Sequence, residues 1–126
     1  VCTTSTHDMT SLRNWWKEDP EKTRRYYNQV LLRIGEAPDE CTTDIATQII
    51  SNHLKTRSML TIIPLQDWFA MDDSIKRKDI EPERINVPAN SKHYWRYRMH
   101  VTLEQLLQAD NLNNKIVSLI KEAGRK

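Results

Sequence analysis

The sequence predicts a mainly helical fold with one or two short strands, organised as one domain over residues 1–126. Of the 126 residues, 38% are hydrophobic and 29% are charged, which is typical of a soluble domain with a modest core. Helical apolar spacing recurs along the chain, whereas only one β-branched apolar run is convincing as a strand. Since a single strand cannot satisfy its own backbone groups, we expect this run to belong to a larger sheet.

Two helices are predicted in the first 35 residues, the second of them from the residues at its ends. A short helix is expected over Thr10 to Trp16. Asp19 is a typical N-cap, Pro20 suits a first helical turn, and Gly35 is typical of the position after a helix end. These residues predict a second helix over 20–34, with an apolar face of Tyr27, Val30, Leu31 and Ile34.

A third helix is expected to begin after Thr42 or Thr43 and to end near Lys55. One side of it is apolar and includes His53, which is most simply a packed core histidine. Further on, Thr102 and Gln105 form a capping-box pattern ahead of a fourth helix. Asn111 or Asn113 opens the last helix, and Gly124 closes it.

The convincing strand is the run from Met59 to Ile63, which stops at Pro64. We predict that it is buried and that its carboxyl end faces a site. A helical turn is expected over Leu65 to Met71. Charged residues and two prolines from Asp72 to Pro88 predict a long irregular connection that carries function.

Composition excludes several classes of function. Gly35 and Gly124 are the only two glycines, so no glycine-rich phosphate loop can be written. The net charge of +2 is too small to imply a nucleic acid or an anionic lipid by itself. Four scattered histidines and two distant cysteines lack metal-ligand spacing, so we predict no metal and no other cofactor. The length also excludes a complete (β/α)8 barrel, which typically needs about 250 residues.

The cellular compartment is also predicted from the sequence. Cys2 and Cys41 allow at most one disulfide, which favours a reducing, cytoplasmic compartment. The longest apolar stretch, Met59 to Leu65, is interrupted by Thr61 and Pro64, so no transmembrane span is expected. Residues 1–20 show no signal peptide.

The dipeptide His7-Asp8 is the first candidate for chemistry. An imidazole beside a carboxylate, just past a Thr- and Ser-rich segment that could be a strand, could bind vicinal sugar hydroxyls or stabilise positive charge. The alternative, which the dipeptide alone favours, is that Asp8 only caps the first helix.

Two further candidates lie in the second half of the chain. Arg84 and Asn86 point the same way if the backbone is extended, so they could bind a polyol. A structural arginine that holds loop carbonyls is an equal alternative. Gln66 and Asp67 directly follow the predicted strand, where parallel strands of α/β proteins carry active sites. Burial as a loop-anchoring network is the slightly favoured alternative.

The segment from Lys92 to His100 is the one basic and aromatic patch. No acid lies between Glu83 and Glu104, whereas Arg and Lys alternate with aromatic residues there. Trp95 could stack on nucleic-acid bases or on sugar faces. Trp95 and Tyr97 could equally be ordinary core residues.

Taken together and in this order, these motifs resemble the C-terminal end of the 4-alpha-glucanotransferases, the amylomaltase or disproportionating-enzyme family. The resemblance covers nearly the whole chain, and four weak motifs in sequence are fairly specific. The motifs are Ser5-Thr6-His7-Asp8 with Trp15-Trp16, Ile63-Pro64-Leu65-Gln66-Asp67, Arg84-Ile85-Asn86-Val87-Pro88 and His93-Tyr94-Trp95-Arg96-Tyr97-Arg98. The last is most similar to the branch that contains the plant cytosolic transglucosidase and similar bacterial enzymes.

The resemblance implies that the chain is the last strand-helix units of a (β/α)8 TIM barrel. It implies that His7 and Asp8 lie at the end of the seventh strand and that Met59 to Ile63 is the eighth. Family members transfer alpha-1,4-glucan segments between maltodextrins by a retaining mechanism with two carboxylates. The resemblance places both of those carboxylates upstream of Val1, so we expect the chain by itself to be inactive.

The resemblance also implies roles for residues that are present. Asp8 would be the third carboxylate, which stabilises the oxocarbenium-like transition state, with His7 beside it. Arg84, Asn86, Gln66, Asp67 and Trp95 would be substrate-binding residues. The chain departs from the commoner family pattern at Glu83, where Ala is usual, and at Tyr94-Trp95-Arg96, where Trp-x-Trp-Arg is usual.

Alpha-1,4-glucan oligosaccharides are therefore the expected partners, with no nucleic acid and no membrane. Unpaired strand edges invite pairing with a second copy, so a homodimer of the chain is a further expectation. One alternative is a non-enzymatic module that uses the patch around Trp95 to bind RNA or an oligosaccharide. The other alternative is a helical protein-interaction domain.

Overall fold

The computed structural model describes residues 1–125 and is mainly helical, as predicted. Two short strands and one 3-10 turn over Glu81–Glu83 accompany six helices in these residues. The strands are β1 (Cys2–Thr3) and β2 (Thr61–Ile62), and the helices are α1 (Leu12–Glu18), α2 (Pro20–Gln29), α3 (Thr43–Leu54), α4 (Leu65–Phe69), α5 (Leu103–Leu107) and α6 (Asp110–Glu122).

The two strands are parallel, with Cys2 opposite Thr61 and Thr3 opposite Ile62. The prediction of a buried strand from Met59 to Ile63 is wrong for this chain. Only two of those residues pair, and the side chains of Met59 and Ile62 are 91% and 58% exposed. The reason is that β2 has a single neighbour among residues 1–125, which leaves one of its edges and much of its surface uncovered.

Helix α3 lies at the centre of the core and packs against α4 and α6. Thr42 caps it, as predicted, by accepting a hydrogen bond from the Ile45 backbone N–H at 3.3 Å. His53 lies half-buried at the margin of its apolar face. The core is formed mainly by Trp16, Ile45, Ile49, Ile50, Phe69, Met71 and Leu112, whose side chains are almost completely buried.

Helix α2 begins as predicted and ends earlier. The Asp19 carboxylate accepts hydrogen bonds from two backbone N–H groups of the first turn. The helix ends at Gln29 rather than at residue 34, because Leu31 leaves the helical path to enter the core, where it is 3% exposed. Gln48 donates a hydrogen bond to the Leu31 carbonyl at 2.9 Å, and Leu32 takes a left-handed φ of 55°.

Helix α1 begins at Leu12, two residues later than predicted, because its N-cap is Ser11. The capping box of Thr102 and Gln105 is confirmed at α5. The prediction that Asn111 or Asn113 opens α6 is wrong, since the helix begins at Asp110. The two asparagine side chains instead donate hydrogen bonds to the Asp72 carboxylate and the Leu106 carbonyl.

Gly124 closes α6, as predicted. Its φ is 67°, its N–H donates to the Lys121 carbonyl, and the Arg125 N–H donates to the Ile120 carbonyl. This pair of bonds is a Schellman motif, in which the left-handed residue is usually glycine. No helix of residues 1–125 is both long and apolar enough to cross a membrane.

Replacement of Gly124 tests this helix end. A Cβ atom at Gly124 would meet no heavy atom within 4 Å, so the cost of Gly124→Ala comes from the left-handed backbone alone. We expect a loss of about 1 kcal/mol in the free energy of unfolding, measured by urea denaturation. Gly124→Asn is the control, because asparagine tolerates this conformation better. Equal losses for the two variants would contradict the explanation.

Candidate functional site

Three motifs that lie far apart in the sequence meet at one place on the surface. We call this group the Asp8 cluster; it contains His7, Asp8, Arg84, Asn86 and Trp95. The Asn86 side-chain amide donates to Asp8 Oδ1 at 2.7 Å, and His7 Nε2 lies 3.3 Å from Asp8 Oδ2. The rings of His7 and Trp95 are 5.1 Å apart between centroids. The structure therefore brings three candidate motifs together: the His7-Asp8 dipeptide, the pair of Arg84 and Asn86, and the patch around Trp95.

Asp8 does not cap a helix, so that alternative is wrong. The N-cap of α1 is Ser11, whose hydroxyl accepts from the Asn14 backbone N–H at 3.4 Å. Asp8 lies in the turn between β1 and α1, where its side chain is 54% exposed. The carboxylate is thus oriented by Asn86 and His7 and still open to a ligand.

Arg84 supports the loop that carries Asn86. Its Nε donates to the Asn86 carbonyl at 3.0 Å, which is the loop-holding contact that the structural alternative describes. Arg84 also lines a polar groove of about 510 Å³ beside α1, together with Asn14 and Lys17. Arg84 therefore fixes the loop that carries Asn86, and the groove that it borders is lined by none of the other residues of the Asp8 cluster.

The aromatic patch is exposed beside Asp8. Trp95 is 60% exposed and Tyr94 is 70% exposed, so the core alternative is wrong for Trp95, whereas Tyr97 is half-buried. His93 Nε2 lies 3.0 Å from the Ile85 carbonyl, which ties the patch to the loop of Asn86. An exposed indole next to a hydrogen-bonded carboxylate is an arrangement suited to a sugar, which presents both an apolar face and hydroxyls.

Gln66 and Asp67 lie in the interior, outside the Asp8 cluster. The Asp67 carboxylate accepts hydrogen bonds from the Thr4 and Ser5 hydroxyls and from the Leu12 backbone N–H, at 2.5, 2.9 and 2.8 Å. Burial raises the pKa of Asp67, and these hydrogen bonds act in the opposite direction. Gln66 donates to the Glu83 carbonyl at 3.3 Å. This geometry favours the anchoring network over direct contact with a substrate.

The ion pair between Arg13 and Glu83 was not predicted from the sequence. Both side chains are buried, at 6% and 4% exposure, and Arg13 Nη1 lies 2.5 Å from Glu83 Oε1. The Ser11 hydroxyl donates to Glu83 Oε2 at 2.7 Å. The sequence does indicate that Arg13 is buried, because helical spacing places it on the same face of α1 as the buried Trp16. In residues 1–125, no group of three or more His, Cys, Asp or Glu side chains could hold a metal ion.

Residues 1–104 match the family described as 4-alpha-glucanotransferase. The chain belongs to this family. The 4-alpha-glucanotransferase DPE2 of Oryza sativa subsp. japonica is 41% identical over 125 residues, which are 99% of this chain and 13% of that protein. The 4-alpha-glucanotransferase of Chlamydia trachomatis is 31% identical over 122 residues, 94% of this chain and 22% of its own length. No solved structure matches the chain.

These matches confirm the 4-alpha-glucanotransferase family that the motif order predicted. The chain spans about 13% and 22% of the two relatives, so it corresponds to a small part of proteins of that length. The chloroplastic/amyloplastic rice relative DPE1 is less similar, at 28% identity over 99 residues. The comparisons give no support to the alternative of a non-enzymatic module that binds RNA or an oligosaccharide.

Proposed function

We propose that this chain is the C-terminal part of a 4-alpha-glucanotransferase, in which it completes the site for the donor sugar. The full enzyme transfers alpha-1,4-glucan segments between maltodextrins by a retaining mechanism in the cytoplasm. The observation that carries the proposal is the Asp8 carboxylate, which is oriented by Asn86 and His7 and open beside the exposed ring of Trp95.

Three residues of the Asp8 cluster contact the donor sugar in this proposal. Asp8 accepts hydrogen bonds from hydroxyls of the donor sugar and opposes the positive charge that develops on the ring in the transition state. His7 contacts a neighbouring hydroxyl, and Trp95 supplies an apolar face for the sugar ring. Residues upstream of Val1 supply the nucleophile and the acid/base. No step requires a cofactor.

The strand arrangement supports a barrel as the parent fold. Neighbouring strands of a (β/α)8 barrel are parallel and are connected through helices. β1 and β2 are parallel, and α1, α2 and α3 lie between them in the sequence. In the proposal they are the seventh and eighth strands, and Asp8 follows the carboxyl end of β1, where barrel enzymes carry their active sites.

A transfer assay tests the proposal. The full-length protein is expected to convert maltotriose into glucose and longer dextrins, whereas the chain of residues 1–126 alone is expected to release no glucose, because it lacks the nucleophile and the acid/base. The readout is glucose and dextrin length over time. Turnover by the isolated chain, or inactivity of the full-length protein on several maltodextrins, would contradict the proposal.

Trp95→Ala tests the role of the exposed indole. In the full-length enzyme we expect the KM for maltotriose to rise about tenfold, as loss of a stacking contact of about 1.4 kcal/mol implies. The matched control is Tyr94→Ala, since Tyr94 is also exposed but contacts Arg96 rather than the Asp8 cluster. Equal effects of the two substitutions on KM would refute a specific role for Trp95.

A further inference from the structure

The buried pair of Arg13 and Glu83 joins the start of α1 to the loop that carries Asn86. Arg13 lies in the first turn of α1, five positions after Asp8, and Glu83 directly precedes Arg84. The Arg13 guanidinium contacts Glu83 Oε1 and also donates to the Arg77 carbonyl at 2.9 Å. One buried side chain thus fixes two points of the irregular connection against α1.

Glu83 is held from three directions. Its carboxylate contacts Arg13 and the Ser11 hydroxyl, and its backbone carbonyl accepts from Gln66 Nε2. Burial raises the pKa of Glu83, whereas Ser11 and Arg13 act against this rise. Three residues later, the Asn86 amide reaches Asp8. Glu83, which is anchored, and Asn86, which contacts the Asp8 carboxylate, are therefore separated by only Arg84 and Ile85.

We propose that Arg13 and Glu83 are positioning residues, which hold the Asn86 loop so that the Asn86 amide orients Asp8 for glucan transfer. This proposal rests on the function proposed above. An exposed ion pair interacts too weakly to fix the position of a loop. A buried, hydrogen-bonded pair such as Arg13 and Glu83 has one favourable geometry and can do so. Neither residue touches the substrate, so the pair acts through Asn86.

The first experiment separates positioning from stability. A single Glu83→Ala substitution leaves Arg13 buried without an anion and is expected to destabilise the fold. The double variant Arg13→Met with Glu83→Leu removes both charges and keeps much of the volume, so it is expected to lower the thermal midpoint of the full-length protein less than Glu83→Ala does, although the Ser11 hydroxyl loses its acceptor. We expect kcat on maltotriose to fall about tenfold, with KM changed less than about twofold.

A matched control lies on the same helix. Lys17 and Glu40 form an exposed pair at 2.8 Å, and Lys17 is four residues after Arg13 on α1. Lys17→Met with Glu40→Leu is expected to leave kcat unchanged. Glu83→Gln is the conservative variant, since its amide oxygen can accept from Arg13 and its amide N–H can donate to the Ser11 hydroxyl. It also removes the anion beside Arg13, so a loss of stability is expected, but the folded variant is expected to retain most of kcat.

The second experiment tests whether the pair acts through Asn86. In an Asn86→Ala background, replacement of the pair is expected to lower kcat by less than about twofold further, because the amide to be positioned is absent. Full additivity of the two losses in kcat would overturn the proposal, and so would wild-type kcat in the folded double variant.

Hydrogen exchange gives a readout that does not depend on activity. The backbone of residues 84–92 in the full-length protein is expected to exchange faster in the double variant, with exchange in α3 unchanged. Unchanged exchange over residues 84–92 would overturn the proposal. If instead the wild-type enzyme transfers no glucan while the double variant shows faster exchange, the proposed function fails and the anchoring of the loop stands.

Discussion

Asp8→Asn is expected to lower kcat/KM for glucan transfer by about a thousandfold in the full-length enzyme. Asparagine keeps the size of the side chain and removes the negative charge that, in the proposed function, opposes the developing oxocarbenium ion. Hydroxyl and charge contacts that strengthen in the transition state contribute several kcal/mol to such reactions, and about 4 kcal/mol corresponds to a thousandfold. Initial rates with maltotriose measure the effect.

The control for this variant is Asp39→Asn, which neutralises an exposed carboxylate outside the Asp8 cluster. Its rate is expected to equal that of the wild type. Thermal midpoints of both variants are expected to remain near the wild-type value, because Asp8 is half exposed and its contacts are few. A folded Asp8→Asn enzyme with more than a tenth of wild-type kcat/KM would exclude the proposed role of Asp8.

Asp67→Ala is expected to cause the largest loss of stability, about 3 kcal/mol or more in the free energy of unfolding. The substitution leaves the Thr4 and Ser5 hydroxyls and the Leu12 N–H without their acceptor, and each buried unsatisfied group costs about 1–3 kcal/mol. Thr4 and Ser5 follow β1 and Leu12 begins α1, so the segment between them, which carries Asp8, loses its support. Urea unfolding of the chain, followed by tryptophan fluorescence, measures the loss.

Asp67→Asn provides the matched comparison. Its carbonyl oxygen can still accept from Leu12, and the two hydroxyls can rotate to accept from the amide, so a loss of about 1 kcal/mol is expected. Burial raises the pKa of Asp67 in the folded state, so the wild type gains stability as pH falls through that pKa. The advantage of wild type over Asp67→Asn should therefore increase toward low pH, and a decrease would contradict the burial of this carboxyl.

The sequence predicted the structural features that depend on adjacent residues. Asp19, Thr42 and Thr102 cap helices where their local patterns indicated, and Gly124 ends α6. The end of α2 could not be predicted in this way. The helix ends where Leu31 enters a core that other helices form, and the sequence around Leu31 does not show that core. The apolar spacing that predicted a longer helix included Ile34, which is in fact 99% exposed.

The candidate site was predicted in parts. His7-Asp8, Arg84 with Asn86, and the patch around Trp95 were each selected for their chemistry, yet nothing in the local sequence indicated that they meet. The hydrogen bond between Asn86 and Asp8 spans 78 positions. The alternatives for Asp67 were likewise distinguished only by its distant partners Thr4, Ser5 and Leu12. The capping alternative for Asp8 was excluded by Ser11, which is the N-cap of α1. Arg13 was missed because local patterns do not show that a charged residue has a buried counter-ion.

The parallel pairing of β1 with β2 also has a consequence for the timing of assembly during synthesis. Cys2 pairs with Thr61, and Asp8 bonds to Asn86. At a translation rate of about 5–20 residues per second, several seconds pass between the emergence of Asp8 and that of Asn86. The strand partner of β1, which is β2 at residues 61–62, also emerges only after α1, α2 and α3. The Asp8 cluster therefore cannot assemble before α1, α2, α3 and α4 have been synthesised.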